Sequence, residues 1–195
     1  MSPSATVEFA PPSTPAATVT PSATGSLLHT ATPTAMRTMR SAYPTAQMTP
    51  IRPTQPPLSG IRQPEDVRSL LTLCRQRGAA LIPYGGGTSV VGHINPLPGG
   101  PPTVTLDLSG LRRLLSIDEM NRVAVFEAGV CGPELEQDLS TRGYTLGHFP
   151  QSFEYSTLGG WIATRSCGQQ SYYYGRIEAL FAGGHLETPV GAIDL

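Results

Sequence analysis

Lysine is absent from this 195-residue sequence, and all thirteen of its basic residues are arginine. That excludes a lysine Schiff base, a P-loop lysine and a lysine general base together. Cysteine is scarce: Cys74, Cys131 and Cys167 are odd in number and far apart, so they form neither a disulfide framework nor a zinc pattern. The four histidines, His29, His93, His148 and His185, make no His-x-x-x-His or His/Cys cluster, so no metal is expected. No apolar run approaches the ~18 residues that a membrane-spanning helix requires. Thirteen basic residues against fourteen acidic ones leave a formal charge of −1. No broad basic surface for nucleic acid is expected.

Glycine (21) and proline (20) are plentiful instead, without a strict glycine period, so the chain is loop-rich but not collagen-like. From Met1 to Pro57 the composition is mainly Ser, Thr, Ala and Pro, with Glu8, Arg37, Arg40 and Arg52 the only charges. The expectation there is a leader without regular structure. A Ser-rich, acid-poor start also fits an organelle transit peptide, but no amphipathic arginine-bearing helix can be drawn between the prolines. The compartment expected is the cytoplasm, with an organelle address left open.

After Leu58 the pattern changes. Pro64, Glu65 and Asp66 open a helix; Val67, Leu70, Leu71 and Cys74 form one apolar stripe, and Gly78 can stop it. Strands are expected at Ala79–Pro83, Thr103–Leu108, Leu114–Ile117, Arg122–Val130 and Ile177–Leu186. Further helices are expected from Gly132 to Gly143 and, capped by Ser156-Thr157, from Leu158 to about Ser166. Strands outnumber helices and do not alternate with them strictly, which favours an α+β fold over a doubly wound sheet.

The run Pro83-Tyr84-Gly85-Gly86-Gly87-Thr88-Ser89 follows a strand and removes three consecutive Cβ atoms. Such a backbone can turn its N–H groups onto phosphate oxygens. It is neither a dinucleotide fingerprint, since the sixth position from Gly85 is Val90, nor a Walker loop, since no Gly-Lys-Ser/Thr follows. Taken alone it serves a flexible turn equally well. A second segment, Gln151-Ser152-Phe153-Glu154-Tyr155-Ser156-Thr157, leads through Gly159-Gly160-Trp161 to Thr164-Arg165-Ser166-Cys167. It places hydroxyls and an arginine around a helix start, where free N–H donors and the dipole favour anions. Trp161 reads as core, and Tyr172-Tyr173-Tyr174 as an aromatic patch on a strand. His148 reads as a surface or packing residue.

The Gly-Gly-Gly-Thr-Ser loop followed by Ser-Thr-x-Gly-Gly resembles the flavin domain of the FAD-linked oxidases of the vanillyl-alcohol oxidase type. Within that group, Gly-Gly-Trp-Ile-Ala-Thr-Arg-Ser-x-Gly and Tyr-Gly-Arg-Ile-Glu are most similar to the alkyldihydroxyacetonephosphate synthase branch. The lactate and glycolate dehydrogenase branch typically carries Asn-Ala-Gly-Gly where this chain has Thr164 to Cys167. The resemblance covers about Leu58 to Leu195 and implies an FAD-binding domain over residues 58–195 and non-covalent FAD. Pro83, Tyr84, Gly85, Gly86, Gly87, Thr88 and Ser89 would hold the pyrophosphate. Gln151, Ser152, Phe153, Glu154, Tyr155, Ser156 and Thr157 would run beside the flavin, Thr164, Arg165, Ser166 and Cys167 would make a third contact, and Ile177 would touch the adenine end by its backbone. Gly86→Val is then expected to remove cofactor binding with little effect on folding.

The family's reaction, as the resemblance implies, exchanges an acyl for an alkyl group on dihydroxyacetone phosphate in ether lipid synthesis. The partners implied are lipid-like small molecules, with peripheral membrane contact and a homodimer both compatible. Two alternatives stand beside it: the flavin domain of a 2-hydroxy-acid dehydrogenase, and a non-catalytic FAD-binding fragment. The family's later Glu-Gly-Thr-Leu-Gly stretch and its substrate domain do not occur before Leu195, so the chain is expected to be an incomplete flavin domain and no catalytic residue is assigned.

Overall fold

The structure, a computed structural model, describes residues 4–8 and 53–195. A small unit is built on helix α1 (Pro64–Arg77), which begins where the sequence places it. Pro64 stands in the first turn, where its missing N–H costs no helical bond, and Glu65 and Asp66 face the positive dipole end. The Asp66 carboxylate accepts from the Gln63 N–H at 3.3 Å. Gly78 closes the helix at φ 62°, the left-handed conformation that glycine adopts without steric cost.

Beneath α1 lie β2 (Ala80–Tyr84) and β3 (Thr103–Asp107), paired in parallel from Ala80 opposite Thr103 to Tyr84 opposite Asp107. Val67 and the half-buried Leu70 and Leu71 close over Ile61, Leu106 and Leu111. A parallel pair needs a long connection. Here residues 85–102 supply it, so the glycine loop leaves directly from the end of β2.

The larger unit is a five-stranded sheet in the order β4-β5-β1-β6-β7, antiparallel throughout. Its strands are β1 (Ser4–Glu8), β4 (Leu114–Asp118), β5 (Val123–Glu127), β6 (Phe181–Thr188) and β7 (Gly191–Asp194). Helices α2 (Gly132–Ser140) and α3 (Leu158–Thr164) pack on it, followed by the single turns α4 (Ser171–Tyr174) and α5 (Ile177–Leu180). Phe126, Leu135, Leu139, Leu158, Trp161 and Ile177 form its core together with Ala5 and Val7. Leu135 and Leu139 point inward as their spacing predicts, both fully buried.

An antiparallel sheet with segregated helices is the expected α+β arrangement. Three local expectations are corrected. Ser4–Glu8, inside the stretch expected to lack regular structure, is the sheet's central strand; residues 9–52 of that stretch lie outside the described residues. Ile177–Leu180 is a helical turn, and its strand begins only at Phe181. Tyr172 to Tyr174 also lie on a helical turn, not a strand. In both turns a few residues connect packed elements, and position rather than β propensity decides their conformation.

Candidate functional site

The glycine loop and the segment before α3 meet. A Cβ on Gly86 would fall on the Tyr155 carbonyl oxygen, and one on Gly85 on the Thr157 hydroxyl. Gly86 is therefore required by a close approach of two backbones, one from each unit, and Gly85 by the Thr157 side chain packed against it. Gly87, at φ 64°, supplies the left-handed turn that ends the approach. Among the described residues, no N–H from Gly85 to Ser89 donates to a main-chain carbonyl. Five successive main-chain donors without internal partners are what an anion cradle requires. The FAD pyrophosphate fits such a set in charge and in donor chemistry.

The second segment is held by its own side chains. The Ser156 hydroxyl accepts from the Trp161 indole N–H at 2.7 Å and donates to the Ser152 carbonyl at 2.8 Å. Thr157 caps α3, its Oγ1 accepting from the Gly160 N–H at 3.4 Å. Leu158 and Gly159 donate to the carbonyls of Val130 and Ala128, at 3.0 and 2.8 Å, which fixes the helix start to the end of β5. Phe153 is buried and stacks on Trp161 with ring centroids 6.3 Å apart. Thus Phe153 and Ser156 spend their side chains on the protein interior, and what they offer a ligand is backbone. Gln151, Glu154 and Tyr155 are exposed.

Thr164, Arg165, Ser166 and Cys167 follow at the other end of α3. The Thr164 hydroxyl donates to the Gly160 carbonyl at 2.7 Å, and Arg165 takes the left-handed cap at φ 52°. Arg165 and Arg176 share Glu178, at 3.6 and 3.3 Å, which leaves one net positive charge beside this segment. The Ile177 N–H reaches the Ser166 carbonyl at 3.4 Å, so the third and fourth expected contacts do adjoin. The Ile177 side chain is core, 1% exposed.

The sequence predicts a surface or packing role for His148, and the structure makes it more specific. It is fully buried, lies edge-on to Trp161 at 5.1 Å, and its Nε2 pairs with the Ser166 hydroxyl at 2.7 Å. Its Nδ1 has no hydrogen-bond partner among the described residues. Burial pushes its pKa down to about 4, so the ring is neutral at pH 7. The available signal was its place between Gly147 and Phe149, where Tyr174 covers Gly147 so closely that no Cβ fits. His93, given no role from sequence beyond the absence of a histidine cluster, places its Nδ1 3.3 Å from the Ser89 hydroxyl. An open groove of about 430 Å³, lined by Leu58, Gly60, Ile61, Leu70 and Leu73 among others, contains none of the cradle residues.

Residues 60–193 match the family of the FAD binding domain. The chain belongs to that family. It is 41% identical over 131 residues to alkyldihydroxyacetonephosphate synthase of Dictyostelium discoideum, covering 67% of this chain and 21% of that protein. A solved structure of an alkyldihydroxyacetonephosphate synthase superposes with a TM-score of 0.67 at 40% identity, over 69% of this chain and 25% of the other. The mitochondrial D-lactate dehydrogenase [cytochrome] 1 of Saccharomyces cerevisiae is more distant, at 29% identity over 66% of this chain and 22% of that protein. The chain spans about a fifth of the length of these curated relatives. FAD is the cofactor of the family, and the flavin domain is of the alkyldihydroxyacetonephosphate synthase type in its similarity.

Proposed function

We propose that residues 60–193 hold FAD non-covalently and serve an enzyme that exchanges an acyl for an alkyl group on dihydroxyacetone phosphate. In this reading Pro83 to Ser89 bind the pyrophosphate, and Gln151 to Thr157 and Thr164 to Cys167 line the flavin side by their main chains. The flavin, when bound, supplies the chemistry at the substrate carbon. The chain's residues bind, orient and exclude water: Tyr155 and Thr157 hold the glycine loop, Trp161 holds Ser156, and neutral His148 holds Ser166. The substrates are lipid-like small molecules rather than nucleic acid.

The observation that carries the reading is the run of N–H groups from Gly85 to Ser89 that have no main-chain partner among the described residues, set against Tyr155 and Thr157. The branch follows from the greater identity to the synthases than to the lactate dehydrogenase, 41% against 29%. Two measurements test it. Acid precipitation of FAD-loaded protein should release all yellow colour, and flavin left in the pellet would refute non-covalent binding. The 195 residues alone are expected to give no ether product, so the reaction classes are separated with residues 60–193 joined to the remainder of a relative, loaded with FAD and given acyl-dihydroxyacetone phosphate and a labelled fatty alcohol. Labelled ether product supports the exchange; dye reduction by lactate or glycolate without ether product overturns it.

A further inference from the structure

The stretch of chain that carries the glycine loop is empty of charge. From Gly78 to Leu106 the sequence has no arginine, lysine, aspartate or glutamate, and its one side chain able to become positive is His93. An anion in the cradle between Gly85 and Ser89 therefore meets main-chain dipoles from this stretch but no fixed cation. His93 is held beside the cradle by local contacts. Gly92, at φ 73°, opens a turn that the Asn95 N–H closes by donating to the Gly92 carbonyl at 3.0 Å. Ile94, the next residue along, is 4% exposed and anchors the turn. The His93 side chain stays exposed, yet its Nδ1 lies 3.3 Å from the hydroxyl of Ser89, the last residue of the cradle. The same hydroxyl accepts from the Val91 N–H at 3.4 Å.

These two contacts fix what protonation does. A hydroxyl has one proton to give and two lone pairs to receive. When Nδ1 is an acceptor, Ser89 gives it that proton and has none left for a ligand. When the imidazole is positive, both ring nitrogens carry protons. Nδ1–H then donates to Ser89, Val91 N–H fills the second lone pair, and the hydroxyl proton is released. We propose that His93 is a positioning residue for the FAD diphosphate, its charged form freeing the Ser89 hydroxyl for a phosphate oxygen and adding the positive charge that the stretch otherwise lacks. This rests on the reading of the glycine loop as the diphosphate site. The other ionisable groups on the elements that meet the loop are Tyr84 and Asp107, at the ends of β2 and β3, and Glu154 and Tyr155 across the junction. The Asp107 carboxylate accepts from the Ser109 N–H at 2.8 Å, and none of the four becomes positive. An imidazole changes charge between pH 5 and 8, whereas the two phosphates of FAD stay ionised throughout. Binding of FAD should therefore take up a proton in this range and tighten as pH falls.

Flavin fluorescence on titrating FAD with the full chain, at pH 6 and at pH 8, tests this, with riboflavin as the phosphate-free control. The parent should bind FAD about 2–5-fold more tightly at pH 6, the size of one exposed charge contact. His93→Gln keeps a polar group beside Ser89 but cannot charge, so it should bind at both pH values as weakly as the parent does at pH 8. Calorimetry at pH 7 in phosphate-free buffers of different ionisation enthalpy should show proton uptake on FAD binding by the parent and none by His93→Gln. His148 and His185 are intact in the variant, so any slope that they cause persists in it. Equal FAD affinity of the parent at the two pH values would overturn the proposal and leave FAD binding in place. So would a His93→Gln chain with the parent's slope and proton uptake, or a riboflavin affinity with the same pH dependence as that of FAD. Absence of FAD binding by the parent at either pH would overturn the proposal together with the reading of the loop.

Discussion

At the scale of single residues, the glycine loop is shaped by what already lies against it. A β-branched side chain at position 86 would have to displace the Tyr155 carbonyl, which is main chain and cannot rotate away. Gly86→Val should therefore lower stability by about 1–3 kcal/mol through overpacking, in addition to reducing FAD affinity. This corrects the expectation from sequence that folding would be little affected. A urea midpoint equal to that of the parent would show that the two loops do not touch. His148 gives a pH prediction. The unfolded imidazole titrates near 6.5, while the buried one holds off protonation to about 4. Between those values the unfolded chain binds more protons, so stability is full above pH 6.5 and falls as pH drops, by about 3 kcal/mol in all. His148→Gln retains a partner for Ser166 but cannot titrate. Its urea midpoints at pH 7 and pH 4.5 should lie closer together than the parent's, and an unchanged gap would refute the assignment.

Between elements, buried carboxylates do the joining. Glu127, fully buried at the end of β5, accepts from the Arg113 N–H at 2.8 Å and from its guanidinium at 2.7 Å. Arg113→Ala leaves that carboxylate with a main-chain donor only, and should lower the midpoint of chemical denaturation. A second joint ties α1 to the far edge of the sheet. Arg68 pairs with Glu187 on β6, His185 lies 3.2 Å from Glu187, and Asp194 on β7 is 2.6 Å from the other nitrogen of His185. Asp194 foremost, and then Glu187, raise the His185 pKa; Arg68 foremost lowers that of Glu187. The His185 contribution is full below its ordinary 6.5 and is lost as pH rises through the raised value. The Glu187 contribution is present above its ordinary 4.5 and lost as pH falls below it. His185→Gln should remove the loss of stability on the alkaline side of the ordinary 6.5, as read by melting temperature against pH. The helix in this joint was legible because Pro64, the Val67–Cys74 stripe and Gly78 are local signals. Its ion partners were not, since 119 residues separate Arg68 from Glu187. β1 was illegible for a similar reason: Ser-Ala-Thr-Val-Glu has only a short alternation, and the neighbours that make it a strand lie more than a hundred residues away.

At the scale of the whole chain, the candidate site is a junction: the glycine loop extends from the α1/β2/β3 unit, and the Tyr155–Thr157 backbone belongs to the five-stranded unit. Each half carries a local sign of itself, glycines in one and a capping threonine in the other. Their meeting is written in no window of the sequence and entered only through family resemblance. A ligand held by both halves stabilises the molecule as a unit, because it binds the folded junction and not the unfolded chain. At a free concentration 100 times its Kd, such a ligand adds about 2.7 kcal/mol. For a chain of this size that corresponds to a melting-temperature rise of roughly 5–10 °C. FAD should produce this shift, and the two units should melt in one transition in its presence. Because the unpartnered N–H groups lie in the loop from Gly85 to Ser89, the diphosphate is the part they recognise. ADP should therefore give a smaller shift in the same direction, while riboflavin, which has no phosphate, should give none. A riboflavin shift equal to that of FAD would move the recognition away from the glycine loop and onto the flavin ring. Gly86→Val then separates the alternatives: it should abolish the ADP shift at pH 7, where His148 is neutral.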